Sequence, residues 1–323
     1  MSADAKTGRA PAPRGVLSPV LTPFDADLRP SPARFVSHCR WLLDQGVGLA
    51  VFGTNSEANS LSVAEKRELL DELVAAGLPA ARMMPGTGAC AVPDAIELTR
   101  HAVRAGCAGV LMLPPFYYKG VSDEGLFRAY AQVIDAVADP RLRVYLYHIP
   151  PVAQVGLSPA LIDRLMKAFP GTIAGIKDSG GDWAHTALLL REFQPRGLDV
   201  FAGSETFLLQ TLQGGGAGCI TATGNVNPGP IVRLCREWQR PDAQAQQRGL
   251  DRIRAIFQAQ PIIPAMKAAV AWQSGDAAWA AVRPPLVPLD AGRVATLRGK
   301  LEEAGFAMPG AASLNHAAEA AGA

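Results

Sequence analysis

The chain has 323 residues, of which 49% are hydrophobic and 19% charged, and its 31 basic and 29 acidic residues leave a formal net charge of +2. This balance excludes a disordered chain and gives no electrostatic footprint for nucleic acid or an anionic membrane. No apolar run approaches the roughly 18–20 residues of a membrane span, no secretory signal opens the chain, and the five cysteines are too scattered for a disulfide framework, so a reduced, cytosolic setting is expected.

Short apolar runs recur along the chain, each followed by a loop and a stretch of helical period. The runs are rich in Val, Ile and Leu without alternating polar residues, which is typical of parallel strands buried on both faces. Eight strands are predicted in this way, over residues 15–21, 48–52, 81–84, 109–113, 144–147, 173–176, 200–202 and 219–222.

Helix-start signals lie between these runs. Ser31-Pro32 and Ser158-Pro159 each supply a capping hydroxyl and a proline for the first helical position. Ser62 and Glu65 have the spacing of a capping box. Further helices are predicted over residues 93–105, 123–137, 183–193, 205–212 and 229–239.

Eight strand–helix units over about 225 residues predict an α/β fold, a (β/α)8 TIM barrel spanning residues 15–240. An open doubly wound sheet is the alternative, but it would usually carry a glycine fingerprint after its first strand, where this chain has Thr22-Pro23-Phe24. Helical patterns over 244–259, 265–272 and 291–304 predict a small C-terminal helical extension, residues 241–306. Residues 1–14 and 307–323 are predicted to be flexible tails.

The polar residues at the predicted strand ends are the candidate functional residues, because barrel enzymes carry their chemistry there. Lys177 closes the sixth strand within the run AGIKD. Desolvation favours the neutral form of a lysine amine, and a neutral amine attacks a ketone to form an imine. A lysine that reaches solvent or pairs with Asp178 is the alternative.

Tyr147 ends the neighbouring fifth strand, so its phenol could meet Lys177 and move protons during carbon–carbon bond cleavage. A core tyrosine bonded to the backbone is the alternative. After the second strand, Thr54, Asn55 and Ser56 offer hydroxyl, amide and backbone donors that suit a carboxylate, or they form an ordinary polar loop.

Four motifs together resemble one family. They are GTNSE at 53–57, where the family has G-[TS]-[TN]-G-E; PPFYY at 114–118; YHIP at 147–150, for Y-N-x-P; and GIKD at 175–178. The 30 residues from Tyr147 to Lys177 also match the family spacing. From about residue 15 to 305, the chain resembles the dihydrodipicolinate synthase / N-acetylneuraminate lyase family of class I (Schiff-base) aldolases.

The resemblance implies a role for each matching residue. Lys177 would form the imine with pyruvate or another 2-oxo acid, and Tyr147 would be the central acid/base. Thr54 would link Tyr147 into a proton relay, and Tyr117 matches a relay tyrosine that often comes from a neighbouring subunit.

The same resemblance implies the binding groups and the assembly. Thr54 and Asn55 would hold the pyruvate carboxylate, and the backbone around Gly203 and Ile220 would line the pocket. The family is usually a homotetramer, a dimer of dimers. No metal and no organic cofactor is implied, and the five histidines are too scattered for a zinc motif.

Three departures from the family pattern bear on the site. Ser56 replaces a glycine, and His148 replaces the usual asparagine and is expected to point to the face opposite Tyr147. Dihydrodipicolinate synthases place an arginine two residues after the proline of Y-N-x-P, where this chain has Val152. Without that guanidinium, a bidentate carboxylate clamp is missing.

The preferred hypothesis is a pyruvate-dependent aldolase, because KDSGGD at 177–182 resembles the form found in 4-hydroxy-2-oxoglutarate and 2-keto-3-deoxy-sugar-acid aldolases. Dihydrodipicolinate synthase and a keto-deoxy-sugar-acid dehydratase are the alternatives within the family. A pyridoxal-phosphate enzyme would need a phosphate cradle, and glycines 214–216 precede the eighth strand instead of following it. A non-catalytic 2-oxo-acid-binding protein would need neither the lysine nor the tyrosine.

Overall fold

The computed structural model describes residues 10–316, with strands and helices alternating through most of that span. The strands are β1 (Gly15–Ser18), β2 (Gly48–Leu49), β3 (Val110–Met112), β4 (Val144–His148), β5 (Ile173–Asp178), β6 (Asp199–Ala202) and β7 (Gly218–Ile220). The pairings of β1 with β2 and of β3 through β7 are parallel. The predicted α/β class is therefore confirmed.

The α-helices follow the predicted positions closely. They are α1 (Pro32–Asp44), α2 (Val63–Ala75), α3 (Val92–Arg104), α4 (Asp123–Val137), α5 (Pro150–Ala153), α6 (Pro159–Ala168), α7 (Trp183–Glu192), α8 (Leu208–Gln213), α9 (Pro228–Glu237), α10 (Ala243–Gln258), α11 (Ile262–Ser274) and α12 (Ala291–Glu303). Within residues 10–316, no helix is both long enough and apolar enough to cross a membrane. Helices α10 to α12 form the predicted C-terminal helical part.

The chain divides into two compact units. Among the described residues, the first comprises 10–15 together with Pro79–Ile220, and the second comprises Val16–Leu78 and 221–316. In the first unit the strands lie side by side in the order β7–β6–β5–β4–β3. In the second, β1 pairs with β2. The sequence-based division at residue 240 stays a prediction.

Local capping explains where several helices begin. At the start of α2, Ser62 Oγ accepts from the Glu65 N–H and Glu65 accepts from the Ser62 N–H, which is the predicted capping box. Ser158 caps α6 by accepting from the Leu161 N–H. Ser31 precedes α1 but makes no side-chain capping bond, so Pro32 at the first position is the feature that favours this start.

The predicted strand at 81–84 is wrong. Only Met83 of the predicted run is in a β-bridge, and it accepts from the Ala108 N–H at 3.0 Å, whereas Ala80–Arg82 form a 3₁₀ turn. Further along, Gly86 is bridged to Leu111 of β3. Pro85 accepts from the Leu111 N–H but, as a proline, has no N–H to donate. The pairing is therefore limited to single bridges, one at Met83 and one at Gly86, instead of a continuous strand over 81–84.

The predicted tails extend beyond the described residues, since 1–9 and 317–323 lie outside them. In the described part of the predicted N-terminal tail, the Arg14 guanidinium donates to the Asp199 carboxylate at 2.7 Å. Residues Ala311–Leu314 form a 3₁₀ helix in which Leu314 is fully buried, and the Trp279 indole donates to the Leu314 carbonyl at 3.1 Å. Residues 10–14 and 307–316 thus make specific contacts.

Candidate active site

Lys177 and Tyr147 lie side by side on neighbouring strands of the first unit. Strand β4 pairs with β5 so that Tyr147 is directly opposite Lys177, and the two residues are only 4% and 2% exposed. The Lys177 Nζ lies 4.3 Å from the centroid of the Tyr147 ring. The structure thus brings together the two residues that the sequence singled out as nucleophile and acid/base.

The Lys177 amine lies beside an aromatic ring and not beside a carboxylate of the described residues. Within residues 10–316 no carboxylate lies at ion-pair distance from it. Asp178, the next residue, faces the opposite side of the sheet, where it bonds to His185 and Thr186 of α7. The alternative hypothesis that Lys177 pairs with Asp178 is therefore wrong.

Two aromatic side chains pack beneath this pair. Tyr145 precedes Tyr147 by two residues and so shares its face, and Phe201 is the register partner of Lys177 on β6. The Tyr145 and Phe201 rings meet edge to face, with centroids 5.9 Å apart. Glycines on both flanking strands give the Tyr145 ring its space, because a Cβ at Gly175 would lie 2.5 Å from its Cδ1 and one at Gly109 2.7 Å from its Cε2.

His148, Asp178 and His185 form a cluster on the opposite face of the sheet, next to α7. His148 is the register partner of Asp178, and its ring stacks on that of His185 with centroids 4.4 Å apart. His185 Nδ1 lies 2.9 Å from Asp178 Oδ2. His148 thus points to the face opposite Tyr147, as the alternation of side chains predicted.

Hydrogen bonds and burial set the protonation of this cluster. The bond to Asp178 raises the pKa of His185 above 6.5, against the opposing effect of burial. Burial, followed by repulsion from His185, lowers the pKa of His148 to about 4. Burial alone would raise the pKa of Asp178, but the bonds from His185, Gly180 and Thr186 outweigh it and lower that pKa. At neutral pH His148 is neutral and Asp178 is ionised.

The loop that contains Thr54, Asn55 and Ser56 lies in the second unit, as the 3₁₀ turn Thr54–Ser56. The departure at Ser56 is accommodated without strain, because the left-handed backbone (φ 56°) belongs to the next residue, Glu57. Ser56 is fully buried, and its Oγ accepts from the Gly53 N–H at 3.1 Å. The turn is therefore closed by a hydroxyl where the family has glycine.

A buried ion pair anchors this loop, and no motif in the sequence predicts it. Lys267 of α11 and Glu57 are both fully buried in their side chains and form a hydrogen-bonded ion pair. Lys267 also donates to the Ala281 carbonyl at 2.7 Å, and Glu57 accepts from the Arg283 N–H at 2.9 Å. Burial lowers the pKa of Lys267 to about 8, with attraction to Glu57 acting against it.

The remaining predicted residues occupy diverse places. Tyr117 follows β3 and is 73% exposed, with its ring against Tyr118. Gly203 follows β6 and donates its N–H to the Asp178 carbonyl at 2.7 Å. Ile220 is the buried last residue of β7. Val152, where the synthases have arginine, lies on α5 and is 62% exposed.

Comparisons with known proteins agree with this architecture. The model of the Dihydrodipicolinate synthetase family matches residues 12–304. An uncharacterized DapA-like lyase from Chloroflexus aurantiacus is 36% identical over 295 residues, which is 90% of this chain and 96% of that protein. YagE of Escherichia coli K12, a putative 2-dehydro-3-deoxy-D-gluconate aldolase, is 31% identical over 90% of this chain and 96% of its own.

Two solved structures are similar over nearly their whole length. Dihydrodipicolinate synthase from Agrobacterium tumefaciens gives a TM-score of 0.83 at 30% identity, covering 90% of this chain and 98% of that one. YagE from E. coli K12 in complex with pyruvate gives 0.82 at 30% identity, covering 91% and 99%. The chain is accordingly an enzyme of the lyase class, and it belongs to the dihydrodipicolinate synthetase family.

Proposed function

We propose that this chain is a class I pyruvate-dependent aldolase, which cleaves a 4-hydroxy-2-oxo acid or a 2-keto-3-deoxy sugar acid to pyruvate and an aldehyde and catalyses the reverse addition. The observation that carries the proposal is the buried Lys177 amine beside Tyr147, with 4.3 Å between Nζ and the ring centroid. A buried amine without an acidic partner is suited to covalent attack on a carbonyl, and a neighbouring phenol to proton transfer.

Cleavage proceeds through an imine between Lys177 and the substrate. The Lys177 amine adds to the C2 ketone of the substrate and water leaves, which forms the imine. The C3–C4 bond breaks, its electron pair moves into the protonated imine to give an enamine, and Tyr147 takes the proton of the C4 hydroxyl as the aldehyde departs. The enamine is protonated at C3, and water hydrolyses the imine to release pyruvate and the free amine.

The part of the substrate that becomes the aldehyde is proposed from the relatives and from Val152. YagE, whose name is that of a putative 2-dehydro-3-deoxy-D-gluconate aldolase, supports a sugar-acid substrate, and the structure of YagE with pyruvate supports pyruvate as the common product. Dihydrodipicolinate synthase is the second candidate, supported by the Agrobacterium enzyme. Val152 favours the aldolase, because a valine cannot hold a second carboxylate.

Further roles come from the resemblance and are proposed with it. Thr54 would relay protons to Tyr147, Thr54 and Asn55 would bind the carboxylate of pyruvate, and Gly203 and Ile220 would line the pocket. The exposed Tyr117 would complete the relay of a neighbouring subunit in a homotetramer. The strands are likewise proposed to close into a (β/α)8 barrel.

Borohydride trapping with pyruvate tests the chemistry. Reduction of the imine should leave a pyruvyl adduct on Lys177, read by intact mass and then by peptide mapping. The matched control is Lys167→Ala, which removes a lysine of α6 whose side chain is 71% exposed and should be trapped like the unmodified protein. Failure to trap any adduct, or an adduct on another lysine, would contradict the proposal.

Turnover assays test the substrate class. We expect aldol cleavage of 2-keto-3-deoxygluconate or 4-hydroxy-2-oxoglutarate, followed through released pyruvate. Condensation of pyruvate with aspartate semialdehyde as the faster reaction would favour the synthase instead. Tyr147→Phe should lower kcat by about 10²–10⁴-fold while imine trapping persists; equal, small losses in both would remove its acid/base role.

A further inference from the structure

The cluster of His148, Asp178 and His185 lies directly behind the proposed catalytic pair. Tyr147 and Lys177 face one side of the sheet, and the next residue on each strand, His148 and Asp178, faces the other. His148 stands where the family usually has asparagine. The cluster is therefore a feature of this chain to which the proposed reaction steps assign no role.

The donor set argues against a metal site, although one ligand atom from each residue lies within 4.8 Å of the others. His148 Nδ1 accepts a hydrogen bond from the Leu157 N–H at 3.0 Å, so the proton of the neutral ring is on Nε2. A metal-binding histidine does the reverse: it ligates with one nitrogen and donates the N–H of the other. The near-parallel stack of His148 on His185, 17° between the rings, also keeps their ring planes from converging on one ion.

The contacts instead fasten α7 to the ends of β4 and β5. His185 and Thr186, both in the first turn of α7, bond to the same carboxylate oxygen of Asp178, at 2.9 and 2.7 Å. The Gly180 N–H donates to its other oxygen at 2.9 Å. The ring of His148, at the end of β4, stacks on the ring of His185 and so connects β4 to these contacts.

Backbone hydrogen bonds carry this attachment to the catalytic residues. The Ser179 N–H donates to the His148 carbonyl at 2.7 Å, which links the two chain segments one residue after Tyr147 and two residues after Lys177. The Asp178 carbonyl accepts from the Gly203 N–H at 2.7 Å and so links β5 to the loop after β6. The backbone that directly follows the catalytic pair is therefore fixed by residues of the cluster or by their immediate neighbours.

We infer that His148 and His185 are positioning residues: their ring stack and the bond of His185 to Asp178 hold the ends of β4 and β5 so that the Tyr147 phenol and the Lys177 amine keep their relative placement. This inference rests on the proposed function. Catalysis by a pair of groups is sensitive to their placement, and a displacement of about 1 Å can cost about 10²-fold in rate. Groups locked by surrounding hydrogen bonds maintain that placement.

The attachment is pH-dependent through His185. The charged groups that face its ring are Asp178 of β5 and Asp182 before α7, with the neutral His148 of β4 stacked on it. Below its raised pKa His185 is an imidazolium and its bond to Asp178 is charge-assisted; as the pH rises through that pKa, the ring becomes neutral and the bond weakens. The contribution of His185 is thus complete at mildly acidic pH and declines at higher pH.

Exchange of the pyruvate C3 protons in deuterated buffer, followed by NMR, tests the inference. Exchange needs the imine and a correctly placed acid/base but no aldehyde, so the unknown second substrate does not matter. His185→Phe keeps an aromatic ring against His148 but removes the bond to Asp178 and the titration. His185→Gln keeps a polar donor without a ring, and His101→Gln on α3 is the matched control.

We expect both His185 variants to lower kcat for exchange by about 10- to 100-fold, with KM for pyruvate changed less than about threefold. The ratio of wild-type to variant rate should fall as the pH rises from 5.5 to 8.5, because both proteins share every other titrating group. The control should match the wild type. If His185→Phe does not fold, His185→Gln is sufficient for the test.

Exchange rates within about twofold of the wild type in the folded variants, or a ratio that is constant with pH, would overturn the positioning role while the wild type is still trapped on Lys177. A wild type that neither exchanges nor is trapped with pyruvate would overturn the proposed function itself. The two failures are therefore distinguishable.

Discussion

Lys177 and Lys267 are both buried lysines, but their surroundings differ in every respect that matters for chemistry. Lys177 is 2% exposed, beside a tyrosine ring and with no carboxylate at ion-pair distance among residues 10–316. Lys267 is fully buried, and it is bound to Glu57 and to the Ala281 carbonyl. Burial alone therefore does not distinguish a nucleophile from a structural cation. The partners of the amine do, and substitutions at the two positions should have opposite consequences.

The largest expected effect is on activity at Lys177. Lys177→Ala removes the nucleophile, and we expect aldol cleavage to fall by about 10³-fold or more, with no pyruvyl adduct. The free energy of unfolding should fall less than it does for Lys267→Met, because the truncation leaves a cavity but breaks no ion pair among residues 10–316. Full turnover by this variant would remove Lys177 from the mechanism, and a large loss of stability would erase the contrast with Lys267.

The next effect is on stability at Lys267. Lys267→Met leaves Glu57 as an uncompensated buried charge, which typically costs about 3–5 kcal/mol. Urea unfolding measures the loss, and the double variant Glu57→Gln/Lys267→Met should recover part of it because no charge is left unpaired. A single variant as stable as the wild type would mean that the pair contributes no more than an exposed one.

A smaller, pH-dependent effect is expected at Glu65, which lies beside the same network. The Arg283 guanidinium lowers the pKa of Glu65 from 4.5 to about 2, with Nη1 of Arg283 at 3.0 Å from Oε2. The stabilisation is complete above about pH 4.5 and is lost as the pH falls toward 2. We expect Glu65→Gln to cost about 1–3 kcal/mol at pH 7 after allowance for partial exposure.

Chemical unfolding of Glu65→Gln and of the wild type across this pH range measures that difference. The gap between the two proteins should close between pH 4.5 and 2. A gap that stays constant with pH would show that Glu65 acts by packing and not by its charge.

The smallest effect is expected at Ser56. Ser56→Gly restores the glycine of the family pattern, deletes the bond from the Gly53 N–H, and increases the entropy of the unfolded chain. Together these should destabilise the protein by about 1–2 kcal/mol, measured by thermal unfolding. A more stable glycine variant would show that the Ser56 hydroxyl strains the turn instead of closing it.

Elements with local signals were predictable from the sequence. Ser62 with Glu65, and Ser158 with Pro159, mark helix starts through bonds within three residues. The strand predicted at 81–84 was misplaced because an apolar run does not show which residues can donate to a ladder. Pro85 limits the pairing there, and the neighbour of that segment, β3, lies more than twenty residues further along the chain.

The candidate site divides in the same way. Tyr147 and Lys177 were predictable because both end buried strands and match family motifs. The cluster with His185 was not, since it depends on the register between β4 and β5 and on the packing of α7 against their opposite face. One signal was present: His148 and Asp178 each follow a residue of the proposed catalytic pair, and alternation places them on a common face. The Lys267–Glu57 pair spans 210 residues, a separation that no local pattern reveals.

The packing of the Tyr145 ring against Gly109 and Gly175 limits which substitutions this enzyme can accept. A methyl group at either glycine would enter the space of the ring, and at Gly175 it would also come within 2.6 Å of the Asp199 carbonyl. The three positions therefore form one size-matched set. Making space beneath Lys177 requires a smaller residue at position 145 with both glycines kept, whereas enlarging a glycine first brings its side chain into the Tyr145 ring. Directed evolution by single substitutions should find position 145 permissive and positions 109 and 175 closed.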